Sequence, residues 1–334
     1  MKSIFKKISP ILLLLIILGT ATFSLPLILS LTIQNQEHQS ASVKLDPFPV
    51  TVDPKNKTIA ENEAVNNFLE SANSPLQAAA GNSFWNTFEW LATTIARAPW
   101  YQNLAAVNGR FVTITPGMRK EQVANAFSDA LSWNSQEKKE FISARNGESL
   151  PLTEGSFSPG VYFVGLGTTP DIAQDLVNNR FSKEILSRYG TSTAEIVPLD
   201  EALIIASLIQ RETGGNDDIR LISGIIWNRI FANMRLQLDA TLQYAKANNA
   251  KTGSWWPTVV PADKFRKSLY NTYMHLGLPP TPIANPSVAA VIAALNPTKT
   301  SCLFYFHDKD GGFHCSDTYA EHVKLLKKYY GQGK

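Results

Sequence analysis

Residues 11–33, ILLLLIILGTATFSLPLILSLTI, carry no charge over 23 consecutive positions, and this run limits everything else the chain can do. At ~1.5 Å per residue it is long enough to cross a ~30 Å hydrocarbon core as a helix. Lys2, Lys6 and Lys7 precede it, so residues 1–10 read as a cytoplasmic tail and the chain after residue 33 as exocytoplasmic. The run is longer than the roughly 7–15 apolar residues of a secretory leader, its one exit candidate, Ser40–Ser42, is a poor one, and no lipobox-type cysteine follows. The reading is a retained single-pass anchor in the cell membrane, with Pro26 either ending the span or kinking it.

That topology makes the charge balance informative. Lys and Arg number 31 against 28 Asp and Glu, a net +3, and the three N-terminal lysines account for all of it (3 − 3 = 0). The exported part is neutral, which argues against nucleic acid as a partner, because phosphate binding needs a basic excess. An apolar content of 44% with 18% charged residues suits a globular chain, and 334 residues allow two modest domains beside the span.

Residues 34–49 are polar and aperiodic and read as a tether. Val50–Pro54 then alternates and leads into a helical run, Ile59 to Leu69; Val112–Pro116 does the same and leads into Glu121 to Leu131. The second copy continues through EGSFSPGVYFV at 154–164 and a helix near 169–180. Between the copies, Phe84, Phe88, Leu91 and Ile95 form a helical stripe flanked by Trp85 and Trp90, read as core, with a membrane-interface helix or sugar platform as the functional alternative.

The stretch richest in chemistry is DEALIIASLIQRETGG, 200–215. It reads as a helix with Asp200 as N-cap and Gly214–Gly215 as stop signal. Ile205, Leu208 and Ile209 share one face, and the next position on that stripe is Glu212. Desolvation and the negative end of its own helix both raise the pKa of a carboxyl placed there. A carboxyl kept protonated near neutral pH is what general-acid cleavage of a glycosidic bond requires. Spacing alone also allows Glu212 to turn outward where the helix frays, or to pair with Arg211. A second helix opens at 216–218, with Ile219, Ile222, Ile226 and Ile230 as its buried stripe; Asp217 or Asp218 is either a second carboxylate or a cap. Residues 235–239, RLQLD, alternate, so a strand would project Arg235, Gln237 and Asp239 from one face and Leu236 and Leu238 into the core. Those polar groups suit a sugar-binding wall, though a solvated edge strand has the same composition. Asn271 and Tyr273 in YNTY supply an amide and a phenol for sugar hydroxyls. GLPPTPIANP, 277–286, reads as a rigid loop holding a cleft wall. Trp255–Trp256 sit in a looser insertion at 248–262 and read as a packed loop, with a glycan contact as the alternative.

In order along the chain, ASLIQRET at 206–213, Asn228–Arg229, MRLQLDATLQY at 234–244, YNTY at 270–273, GLPPTPIANP, NPTKT at 296–300 and CSDTYAEH at 315–322 together resemble the catalytic domain of the YceG-like endolytic murein transglycosylases, the MltG family. The departures are Asn233 where glycine is usual, Ala240 where proline usually follows the Asp, Thr281 where glycine is common, and Cys315 in place of an aromatic. The resemblance implies an α+β protein: tail 1–10, membrane helix 11–33, tether and a first LysM-like unit 34–105, a LysM-like region 106–198, and the catalytic domain 199–334. LysM-like units imply glycan contact or only orientation of the catalytic domain.

It further implies that Glu212 is the catalytic acid and that Asn228, Arg229, Gln237, Asp239, Asn271 and Tyr273 line the substrate site. The reaction implied is non-hydrolytic cleavage of the MurNAc–GlcNAc bond within peptidoglycan strands, leaving 1,6-anhydro ends and needing no cofactor. Peptidoglycan, the lipid bilayer and peptidoglycan synthases are the implied partners. The alternatives are a lysozyme-like hydrolase, with Asp239 as second carboxyl, or a non-catalytic glycan-binding scaffold.

The five histidines are scattered, with no metal-ligand spacing among His307, His314 and His322. His322 reads as structural, a cap or a partner of Glu321. Residues 302–307 and 313–316 read as a hairpin in which Cys315 faces Tyr305. Along an extended strand Cys302 then lies ~10 Å from its partner, beyond the ~7 Å limit for a disulfide. The expectation is two free buried thiols, and a bond between them would imply another register.

Overall fold

The structure is a computed structural model. It describes residues 47–61, 65, 109–143, 153–213, 218–249 and 253–331. The apolar run 11–33, the tether up to residue 46 and the aromatic stripe at 83–101 lie outside the described residues. Among the described residues no helix is long and apolar enough to cross a membrane.

The class is α+β, with nine α-helices and three two-stranded sheets among the described residues. The chain divides into two compact units. The described part of the smaller one is 109–112 with 161–168, the greater part of strands β3 (Gly109–Ile114) and β4 (Gly160–Gly165), which pair. Phe111 and Phe163 pack there with ring centroids 5.1 Å apart.

The larger unit holds everything else. Its N-terminal hairpin, β1 (Val52–Asp53) and β2 (Thr58–Ile59), turns through Asp53, whose carboxylate accepts from the backbone N–H groups of Lys55 and Asn56. The expected helical run from Ile59 therefore starts too early: Ile59 is strand, and Val65 is helical. Helices α1 (Lys120–Leu131) and α3 (Pro170–Glu184) follow the expected positions closely, while α2 (Ser135–Ile142), capped by Asn134, lies between them where no helix was expected. Phe127, Trp133, Phe141 and Phe157 pack in one aromatic cluster, centroids 4.8–5.9 Å apart.

After α4 (Thr191–Ile196), helix α5 (Leu199–Glu212) is the centre of the core. Every residue from Ala202 to Ile209 is buried, so it is apolar all round and not merely striped. Its N-cap is Pro198, two residues before the expected Asp200; proline cannot continue a helix backwards, and Asp200 and Glu201 complement the positive end from within the first turn. Against α5 pack α6 (Ile219–Phe231) and α8 (Val288–Leu295), the latter VAAVIAAL with its Ala and Leu core fully enclosed. Small residues let these backbones approach closely. Side chains then satisfy the buried carbonyls: Ser223 Oγ donates to Ala293 O at 2.7 Å and Trp227 Nε1 to Ala294 O at 2.8 Å. Gly224 lies so close to the Thr298 carbonyl that any Cβ would collide with backbone.

The segment 235–239 is not a strand. Leu236 and Leu238 are buried while Arg235, Gln237 and Asp239 are exposed, as the alternation requires, yet Gln237 adopts φ 52°. Thr272 holds the segment instead, its carbonyl accepting from Gln237 N and its hydroxyl from Leu238 N. Asp239 then opens helix α7 (Asp239–Asn249).

The C-terminal hairpin pairs β5 (Phe304–His307) with β6 (Phe313–Ser316), and Tyr305 faces Cys315 as expected. The two thiols are nevertheless joined: Cys302 and Cys315 form a disulfide with Cα atoms 5.8 Å apart. The register stands; the error lies in extending the strand back to residue 302. Residues 302–303 lie ahead of the paired strand, which begins at Phe304, with Cys302 N bonding Thr300 Oγ1 at 3.1 Å and Leu303 N the carbonyl of Ser316 at 2.8 Å. Helix α9 (Tyr319–Tyr330) closes the fold.

Candidate active site

Glu212 ends α5, and its carboxyl is met from two other elements. Oε2 accepts from the Tyr305 hydroxyl on β5 at 2.8 Å, and Oε1 accepts from Ala240 N, in the first turn of α7, at 3.2 Å. The residue is half-buried, with its carboxyl turned in among protein groups. Burial raises its pKa above the usual glutamate value; the Tyr305 and Ala240 bonds oppose that rise, Asp239 adds to it and Arg211 subtracts from it. The group is thus biased toward the protonated form yet provided with donors that receive its anion. Glu212 neither turns away from the fold nor forms an ion pair with Arg211, whose guanidinium lies 3.9 Å over the Trp256 ring.

Asp239 and Tyr273 complete the same corner. The Tyr273 hydroxyl donates to Asp239 Oδ1 at 2.6 Å, and burial plus this carboxylate push the phenol far above its ordinary value. Asn271, fully buried, supports Tyr273 from behind: its Oδ1 accepts from Tyr273 N at 2.9 Å, and its amide donates to the carbonyls of Lys264 and Arg266.

Asn228 and Arg229 are committed to the framework. Asn228 Nδ2 donates to Thr300 O and Cys302 O. Arg229 is 7% exposed and spans two segments, its Nε donating to Leu303 O at 2.6 Å and NH1 to the carbonyls of Arg235 and Leu236. It therefore fixes the start of the Tyr305 strand against the chain leading to Asp239. Gln237 is exposed on that chain. Of the residues singled out in the sequence, the structure brings Glu212, Asp239 and Tyr273 together, with Asn271 and Arg229 behind them.

Asp217 lies outside the described residues, whereas Asp218 occupies the N-cap of α6 without a side-chain capping bond. Its carboxylate instead meets His307 Nε2 at 2.5 Å. His322 neither caps α9, a role taken by Thr318, nor faces Glu321; its ring packs among Phe304, Phe306 and Tyr319. Burial first, and Arg229 second, lower its pKa. The proline-rich loop is held as expected of a rigid wall: the Asn285 amide group accepts from Gly155 N and Phe157 N and donates to Met118 O and Glu154 Oε1. Among the described residues no group of His, Cys, Asp and Glu is arranged for a metal.

Two contributors escaped sequence reasoning. Tyr305 was placed opposite Cys315 but not against Glu212, and Ala240 acts through its backbone.

The sequence model of the YceG-like family matches residues 80–328. The chain belongs to the YceG-like family. It is 29% identical to the endolytic murein transglycosylase of Bacillus subtilis over 242 residues, 65% of this chain and 64% of that protein. It is also 29% identical to the endolytic murein transglycosylase of Streptococcus pneumoniae strain D39 over 191 residues, 54% of this chain but only 34% of that protein. The match thus spans between a third and two thirds of these relatives. A crystal structure of a YceG-like protein from Listeria monocytogenes aligns with a TM-score of 0.55 at 26% identity, covering 64% of this chain and 75% of that one. In this YceG-like chain, Ala240 supplies an N–H that the usual proline would lack.

Proposed function

We propose that this chain is a membrane-anchored endolytic transglycosylase of peptidoglycan, with Glu212 as its single acid and then base. The observation that carries the reading is the enclosed Glu212 carboxyl held between the Tyr305 hydroxyl and the Ala240 N–H. In the first half of the reaction, protonated Glu212 donates its proton to the glycosidic oxygen as the C1–O bond breaks, and positive charge develops at C1 of the muramoyl residue. In the second half, the Glu212 carboxylate takes the proton of the C6 hydroxyl, whose oxygen closes on C1 to give the 1,6-anhydro sugar. One proton is donated and one regained, and no water is consumed. Burial serves the first half, and the two donors serve the second by receiving the anion. Asp239, fixed by Tyr273, is placed to stabilise the developing positive charge. The exposed Gln237 and the Tyr273 ring are offered to the glycan.

A hydrolase is the second reading, and the nearness of Asp239 favours it: as a base, Asp239 would activate water at C1. The anchor at 11–33 belongs to this proposal through its uncharged length, and glycan contact through LysM-like strand–helix units and synthase partners through family resemblance. A Cys302–Cys315 disulfide suits an exported, oxidising location. Mass spectrometry of products from purified glycan strands tests the chemistry. Anhydro-muramoyl ends from the parent and none from Glu212→Gln are expected; reducing ends would replace the lyase reading with hydrolysis.

A further inference from the structure

Ten large apolar side chains are strongly exposed among the described residues, and six of them fall between residues 255 and 276: Trp255, Val260, Phe265, Leu269, Met274 and Leu276. Phe265 is 80% exposed and Leu269 71%. A loose loop would fold such groups inward, but this one is clamped. Asp263, 4% exposed, accepts from Val260 N and from Lys246 Nζ at 2.8 Å, and pairs with Arg266 at 3.0 Å. These contacts, the Lys246 bond foremost, hold its pKa down at about 2. The buried Asn271 ties down the carbonyls of Lys264 and Arg266, on either side of Phe265. The outward display of Phe265 is therefore built into the fold.

Within the segment itself the exposed charge has one sign, although the exposed Asp239 carboxylate meets it at Tyr273. Between residues 253 and 281 the only acid is Asp263, already neutralised inside, while Lys264 and Lys267 are exposed. Of the exposed apolar side chains only Phe265 and Trp255 offer a flat face to a pyranose ring; Val260, Leu269, Met274 and Leu276 do not, and such side chains mixed with lysines match the headgroup boundary of an anionic bilayer. Resting on the reading of residues 11–33 as an anchor, reach points the same way. Phe48 is already core, so the 14 residues 34–47 (47 − 33 = 14) separate span and domain, which keeps the domain within about 50 Å of the membrane.

We infer that the 255–276 segment is a lipid-docking surface that seats the catalytic domain on the anionic outer face of its own membrane. Because Asn271 and Tyr273 belong to the segment, docking sets the Glu212 site beside the bilayer, where lipid-linked strands lie.

The test uses the full chain reconstituted in vesicles of phosphatidylglycerol and acyl-brominated phosphatidylcholine. Phe265→Trp and Leu269→Trp should each gain tryptophan fluorescence that bromolipid quenches relative to the parent. Quenching should weaken in high salt, which screens the lysine contribution. A Phe265→Ser/Leu269→Ser variant should cleave lipid-linked strands on the order of tenfold more slowly, and soluble strands at the parental rate. Absence of added quenching at both positions overturns the inference, as does an equal loss on both substrates, which would mean a glycan contact. Loss without quenching that appears only beside a synthase would mean a protein partner and overturns it too. Quenching does not require cleavage, and extraction of the parent vesicles with alkaline carbonate reports the anchor separately, so failure of either underlying reading is distinguishable.

Discussion

Two glutamates, Glu212 and Glu154, have carboxyls that desolvation pushes the same way, and they differ in what holds them. Burial raises both, and Glu154, 6% exposed and close to Glu121, reaches about 8. Glu154 Oε1 accepts from Lys120 N at 3.0 Å and from the Asn285 amide at 3.2 Å. Both donors are parts of the scaffold, since Asn285 ties the proline-rich loop to Met118, Gly155 and Phe157. Glu212 is met instead by a phenol from a hairpin 93 residues away and by the first turn of α7, beside a second carboxylate that is exposed. Desolvation alone therefore does not identify a catalytic acid. What separates the two is whether donors converge on the carboxyl from elements that also carry exposed polar groups.

The sharpest way to break this contrast is to neutralise each in turn. Glu212→Gln should abolish cleavage, a loss on the order of 10³-fold or more, with the melting temperature little changed. Glu154→Gln should retain cleavage. Loss of activity in Glu154→Gln with an intact melting temperature would erase the distinction.

The second effect is on stability. With a folded value near 8 against an ordinary 4.5, Glu154 holds a proton in the native state that the unfolded chain has released between those limits. The native state binds more protons there, so stability falls as pH rises from about 4.5 to 8 and levels off above, by up to a few kcal/mol. Glu154→Gln should flatten this decline in denaturant titrations at pH 5 and pH 8. An unchanged slope would place the decline elsewhere.

How much of this was legible follows from the kind of signal. The stripe of α5 with Glu212 at its end, the α6 stripe and the 112–180 run of strand and helices are local periodicities, and periodicity reports burial directly. At 235–239 the alternation correctly sorted Leu236 and Leu238 from Gln237 and Asp239. It misjudged the backbone, because Thr272 provides the hydrogen bonds that a strand neighbour would have given. Asn233, at a position where the family usually has glycine, does adopt φ 54°, a conformation asparagine tolerates better than most residues. Tyr305 was hidden because its partner is remote in sequence. The disulfide was hidden because the paired strand begins only at Phe304, so a count of strand residues does not place Cys302.

A third prediction weighs the two donors on Glu212. Removing the Tyr305 hydroxyl removes the stronger of the two hydrogen bonds that lower the Glu212 pKa, so that pKa rises further. If the acid form breaks the glycosidic bond, the high-pH limb of kcat/KM marks its loss. Tyr305→Phe should move that limb up by about one unit while lowering the maximal rate roughly tenfold, since the anion needed in the second half is less well received.

Ala240→Pro gives the smallest and most specific effect. Proline is tolerated in the first turn of a helix, and Ala240 follows Asp239 at the start of α7, so the fold should survive. Only the N–H that reaches Glu212 Oε1 at 3.2 Å is deleted. A long N–H bond to the carboxylate is worth about 1 kcal/mol, so the limb should rise by roughly 0.7 unit, in the same direction as Tyr305→Phe. Asp239, Arg211 and Tyr305 still face Glu212, and their charges are unchanged. A limb that stays in place would mean that Glu212 does not depend on this donor in the working enzyme. A shift to lower pH would mean that the proline ring displaces the carboxyl toward water. The expected rise would instead show that an alanine, at a site where its relatives usually carry proline, gives this chain a second support for the carboxylate form of its acid.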